Sequence, residues 1–182
     1  MERKYKLTDE CMQYEGHKLY RIQSLRSFSN VKEGELGGYI ESEDNLSHDG
    51  MCWVYGEAKV FGNANVYHNA CVYFYAGVFG NAKVFGNAKV CGNAKVYGKA
   101  EVRGDAKVYK NGDYIVFKNW WSSGRYFTWT RSNNKWKVGC FWGTGAELIN
   151  KAYKDSELSG REYERVVKYV ESILADENAQ KK

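Results

Sequence analysis

A six-residue word governs this chain. Valine stands at positions 54, 60, 66, 72, 78, 84, 90, 96, 102 and 108 without a slip, and alanine answers four residues later from Ala58 through Ala106. The word is most complete in Val84-Phe85-Gly86-Asn87-Ala88-Lys89. A period of six matches neither the 3.6 of an amphipathic helix nor the 2 of a simple strand, so it belongs to a repeating coil. Each hexad supplies one short strand and one corner, and three hexads close a triangular turn of 18 residues. Alternation within the strand sends Ala and Val inward and the intervening Lys and the following aromatic outward. Gly-Asn turns the corner, because these residues tolerate the left-handed backbone region that a sharp bend needs. Nine full hexads predict three coils, stacked about 4.8 Å apart.

Coil arithmetic then sorts the outward residues into three exterior ladders. Phe61, Phe79 and Tyr97 form one, Tyr67, Phe85 and Arg103 a second, and Tyr55, Tyr73, Cys91 and Tyr109 a third. Departures from the word mark where a function would sit. The corner Gly becomes His68 in one hexad and Phe74 in the next, and the corner Asn becomes Tyr75 and Lys99. Charge points the same way. Residues 54–112 carry eight Lys and Arg, Lys83, Lys89 and Arg103 among them, against three acids, which is the whole +5 excess of the protein. A basic, aromatic surface suits an anionic partner, with rings to stack a base and cations to hold phosphate. The alternatives are that exterior lysines serve solubility and that one aromatic face is an interface between copies of the chain.

The Val…Ala hexads resemble those of the hexapeptide-repeat left-handed β-helix proteins, the fold of the hexapeptide transferases. That resemblance implies a left-handed parallel β-helix and a homotrimer. One difference is the residue after the valine, aromatic in eight of the ten hexads and Cys91 or Arg103 in the others, where the family usually has Gly, Ala or an acid; outward rings on flat faces suit a trimer contact. The entry segment Leu36-Gly37-Gly38-Tyr39-Ile40-Glu41-Ser42-Glu43 to Cys52-Trp53-Val54-Tyr55, together with Tyr126-Phe127-Thr128-Trp129-Thr130-Arg131 and Val138-Gly139-Cys140-Phe141-Trp142-Gly143-Thr144, is similar to segments of hexapeptide-repeat proteins encoded by bacteriophages and prophages.

The flanks complete a mainly β architecture in three parts. Residues 1–30 read as an N-terminal hairpin cap, residues 31–112 as the β-helix with an irregular entry coil, and residues 113–182 as a small α+β unit. That last unit reads β-β-β-α-α, with capping boxes Thr144/Glu147 and Ser159/Glu162 opening its helices and a polar tail at its end. It holds five of the six tryptophans, which are expected as core, with a remainder free to line a cleft with Arg125, Arg131 and Lys137. No apolar run approaches the ~20 residues of a membrane span. An odd set of five cysteines without a CxxC reads as reduced thiols of the cytoplasm, and the resemblance to phage proteins implies that of a bacterial host cell.

Catalysis finds little purchase. The transferases of the resembling fold use a histidine at a subunit interface; His48 and His68 are the candidates, neither with a nearby acid or serine in sequence that would make a dyad obvious, and the corner residue His68 is the weak choice for a general base. No metal-ligand spacing and no phosphate-cradling glycine loop occurs, so neither metal nor cofactor is expected. The resemblance to phage proteins implies a non-catalytic sponge that sequesters an anionic nucleotide immune signal of cyclic type at protomer interfaces. Its expected contacts are His68, Phe74, Tyr75, Tyr67, Phe85, Arg103, Lys83 and Lys89, with no extended nucleic acid bound. An acyl- or acetyltransferase and a structural, polymer-forming phage protein are the alternatives.

Overall fold

The computed structural model describes residues 2–180 and shows a mainly β chain built on a solenoid of about four parallel-stacked turns. Ten two-residue strands run from Trp53–Val54 to Lys107–Val108, one to each hexad. Residues 18 apart pair in register: Val66 with Val84 and Val84 with Val102 on one face, Val54, Val72, Val90 and Val108 on another, and Val60, Val78 and Val96 on the third. The amides of Lys83, Phe85 and Asn87 donate to the carbonyls of Ala100, Val102 and Gly104 at 2.7–3.0 Å, and the first two of these bonds recur in each hexad from Trp53 to Cys91. All ten valines are fully buried and the alanines nearly so, filling an interior too narrow for larger side chains.

The solenoid begins one turn earlier than the nine perfect hexads alone predict. Tyr39 and Ile40, in the strand Leu36–Ile40, pair with Lys59 and Val60, and Leu46 bridges to Val66. The two extra residues between Leu46 and Val54 are absorbed in a turn at 47–51, and the Cys52 amide rejoins the ladder on the His68 carbonyl. Asn45 holds this loose turn together. Its side-chain carbonyl accepts from the Glu41 and Ser42 amides, and its NH2 donates to the Gly62 and Ala64 carbonyls, so all of its polar valences are used where it is buried.

The hairpin Tyr5–Tyr14 and His17–Ser24 continues the sheet beyond the first rung by antiparallel pairing to Leu36–Ile40. It thereby satisfies an edge that stacked strands leave open. Behind it, Tyr5 and Phe28 pack on Trp53, at ring separations of 6.1 and 5.4 Å, and this bury-all cluster plugs the interior. Lys4 is also fully buried. Its ammonium donates to the carbonyl of Cys52 at 2.9 Å and to the Cys52 thiol at 3.2 Å, and it lies over the Phe28 ring. Burial pulls the Lys4 pKa down and pushes the Cys52 thiol up.

The other end is closed by an antiparallel sheet of four strands, Tyr114–Lys118, Tyr126–Thr130, Lys135–Val138 and Phe141–Gly143, one more than the three expected. The fourth is only three residues long, Phe-Trp-Gly, which is too short for alternation to reveal in a sequence. Helices α1 (Gly145–Asp155) and α2 (Glu157–Ala179) follow. Thr144 caps α1 with Glu147 in a reciprocal box, as the spacing predicts. Helix α2 corrects the expectation: Ser156 is its N-cap, accepting from the Ser159 amide, so Ser159 lies inside the first turn. It remains helical to Ala179 where a polar tail was expected, while Lys181 and Lys182 of that tail lie outside the described residues. Trp129 and Trp136 are core, packed with Leu148, Tyr163 and Val167.

Two measurements check this packing. Val84→Asp buries an unpaired carboxylate in the solenoid and should cost several kcal/mol in urea-unfolding experiments, of the order given by such burials. Alkylation of the native protein should modify the exposed Cys11 and Cys140 and spare the buried Cys52, Cys71 and Cys91, with all five reacting after denaturation, as counted by intact mass.

Candidate functional site

Because each rung repeats its neighbour's register, like side chains stack. On the Val66 face, Tyr67 and Phe85 lie 4.8 Å apart and 6° from parallel. The next rung replaces the ring by Arg103, whose guanidinium sits 5.6 Å from the Phe85 centroid and 5.6 Å from that of Trp142. Trp142, on the last strand of the C-terminal sheet, also covers the corner at Gly104. A Cβ there would come within 2.5 Å of the indole, so only glycine fits. The column Tyr67, Phe85, Arg103, Trp142 thus runs from solenoid to C-terminal unit without a break. Lys83 flanks it, 4.0 Å from Glu101, which is held more closely by Lys137 at 3.1 Å.

His68 stands at the corner of this face, its ring edge-on to Tyr67 at 4.9 Å and to Phe85 at 6.4 Å. Among the described residues, no carboxylate is hydrogen-bonded or ion-paired to it. The structure therefore brings Tyr67, His68, Phe85, Arg103 and Lys83 together. It places the other three elsewhere in the same chain. Lys89 projects from the neighbouring Val90 face, and Phe74 and Tyr75 form the next corner, beyond that face.

Phe74 and Tyr75 are 63% and 66% exposed, and the Phe74 ring lies tilted beside that of Tyr73 at 6.5 Å. His68 and Phe74 hold φ of 59° and 60°, the left-handed region that glycine occupies at the other corners. Such a residue stores roughly 1–3 kcal/mol of strain. Glycine gives back part of that difference through unfolded-state entropy. Phe74→Gly should consequently leave the protein as stable or more stable, by up to about 1 kcal/mol in chemical denaturation, even though it deletes a whole aromatic side chain.

The third face is covered from within. Phe61, Phe79 and Tyr97 stack at 5.0 and 5.2 Å, and the hairpin tip lies over the lower rings, with Tyr14 and His17 against Phe61 and Glu15 reaching Lys95 at 3.6 Å. Tyr97 ends that stack beside a cleft of about 410 Å³ that also contains Lys99 and Tyr126. A second cleft of about 390 Å³ shares Lys99 and Tyr126 and adds Arg125, and a third of about 380 Å³ continues past Arg125 between the C-terminal sheet and helices. Lys99 and Lys118 place their ammonium groups 4.9 and 5.9 Å from the Tyr126 ring.

The sequence registers Lys99 only as a departure from the corner asparagine, and nothing in it shows that the departure faces Tyr126. Of the three cations expected to line a C-terminal cleft, Arg125 does so. Arg131 is instead bound to Glu177 at 2.6 and 3.0 Å, and Lys137 to Glu101. Among the described residues, no group of three His, Cys, Asp or Glu side chains is placed to hold a metal, and no helix is long and apolar enough to cross a membrane. No family model and no curated protein matches the chain.

Proposed function

We propose that this chain is a hexapeptide-repeat β-helix of left-handed winding, encoded by a phage and working in the bacterial cytoplasm. In this reading it assembles as a homotrimer and sequesters an anionic nucleotide of cyclic type at protomer interfaces without transforming it. The observation that carries the reading is the parallel Tyr67–Phe85 stack at 4.8 Å ending in a guanidinium, since it sets Tyr67, the half-buried end ring of the stack, on the same face as a fixed cation, where a base can lie against the ring and its phosphate reach the charge. Two exposed aromatics at the next corner, Phe74 and Tyr75, the first of them strained, give it further support. Phe74 occupies a backbone conformation that disfavours it and is 63% exposed. Sequestration needs affinity alone, which fits a basic repeat carrying all of the net charge.

The same corner histidine would serve an acyltransferase, and one experiment separates the readings. Excess protein is incubated with nucleotides and acyl-coenzyme A donors, then denatured, and the small molecules are analysed by mass spectrometry. The proposal expects every compound to return unchanged, a native mass three times 20.9 kDa, and nucleotide affinity lowered about tenfold or more by His68→Ala or Phe74→Ala. A consumed donor would favour the transferase, and a mass of one chain would remove the interface.

A further inference from the structure

We infer that the junction between the last solenoid turn and the C-terminal sheet is itself a nucleotide site, with a base stacked on Tyr97 and its phosphate held by Lys99, Lys118 and Arg125. This rests on the nucleotide-binding reading above and adds contacts at a place that the hexad pattern does not reveal. The stacked column Phe61, Phe79, Tyr97 is interrupted at its last member: Tyr97 is 49% exposed, and among the described residues no further ring stacks on it. The backbone explains the interruption. One coil further along, the chain has left the solenoid for the strand Tyr114–Lys118, so the next outward position is Ile115 at the cleft wall, not another aromatic. The cleft of about 410 Å³ beside Tyr97 is within the range that small ligands occupy.

Electrostatics selects the ligand. Lys99 and Lys118 come from different units of the chain and crowd one tyrosine ring, and Arg125 lines the adjoining cleft. Among the described residues, none of the three has a carboxylate within 4.0 Å. Glu101, the one acid lining these two clefts, is already paired with Lys137 at 3.1 Å. Converging cations that lack a counter-charge repel one another, and an anion relieves that repulsion. Tyr126, 41% exposed between the two clefts, holds both ammonium groups at the cleft wall through its ring. A planar base with a phosphate at one end matches this order of ring, cleft and cations. A bare phosphate leaves the ring unused, and an uncharged nucleoside leaves the cations unpaired.

The test is calorimetry of the full chain with AMP, GMP and a cyclic dinucleotide, with adenosine and inorganic phosphate as separate arms. Lys99→Asn is the decisive variant, because it installs the residue that holds this corner position at 63, 69, 81, 87 and 93 and so preserves the coil. Lys99→Asn and Tyr97→Ala, each with an unchanged β-rich circular dichroism spectrum, should weaken nucleotide binding about tenfold or more. Adenosine and phosphate alone should each bind at least about tenfold more weakly than the nucleotide. If a nucleotide binds but Phe74→Gly abolishes the heat and Lys99→Asn does not, the junction is overturned and the corner reading stands. Heat from no nucleotide overturns both.

Discussion

The backbone ladder between each residue and its counterpart one turn later is the constraint from which the rest of this structure follows. Amides at Lys83, Phe85 and Asn87 bond carbonyls at Ala100, Val102 and Gly104, and the same offset recurs along the solenoid. Once that offset is fixed, a valine must lie on a valine and an aromatic on an aromatic. The interior column is close-packed and apolar, while the exterior columns become stacks of nearly parallel rings at 4.6–5.2 Å. Ring stacking is therefore a by-product of register here. It needs no specific pairing signal, only the same residue class every 18 positions.

Corners are where this regularity is expensive. Each turn bends in the left-handed region of backbone space, at φ of 60–74° for the corner glycines from Gly56 to Gly104, and a side chain there is tolerated only under compulsion. Gly104 has a second reason to lack one, because Trp142 rests on it. His68 and Phe74 take the same backbone conformation with bulky side chains. His68 recovers something through ring contacts to Tyr67 and Phe85, whereas Phe74 stands largely in solvent. Strain without compensating packing is the kind of local inconsistency that functional positions carry.

Both ends of the stack are finished by sheets that the hexads do not encode. At the first turn the hairpin adds antiparallel strands and Tyr5, Phe28 and Trp53 fill the bore; at the last, the Tyr114 ring closes it, its hydroxyl donating to the Lys95 carbonyl at 3.0 Å. Such closure is what lets a short solenoid exist without adding further strands at its edges. The last closure has a chemical consequence. Docking the C-terminal sheet brings its own aromatics and cations, Tyr126, Trp142, Lys118 and Arg125, against the outward residues of the final turn.

The sequence by itself determined the solenoid, its inward valines and alanines, the membership of the three exterior ladders and the cap of α1, because each depends on contacts at a fixed spacing along the chain. It also marked His68, Phe74 and Lys99 as departures from the word. What it left undecided is which departures meet. Tyr67, His68, Phe85 and Arg103 share one face, yet Phe74 and Tyr75 turn a different corner, since consecutive hexads lie on consecutive sides of a triangle. The fourth strand and the Ser156 cap escaped because three residues of strand, or a serine three positions from another, carry no periodic signal. Only the tertiary structure decided that Arg103 lies between Phe85 and Trp142, and that Lys99 faces Tyr126. Those pairs join residues 27 and 39 positions apart across two differently built units. Their meeting is set by how the C-terminal sheet docks, and no repeat encodes that.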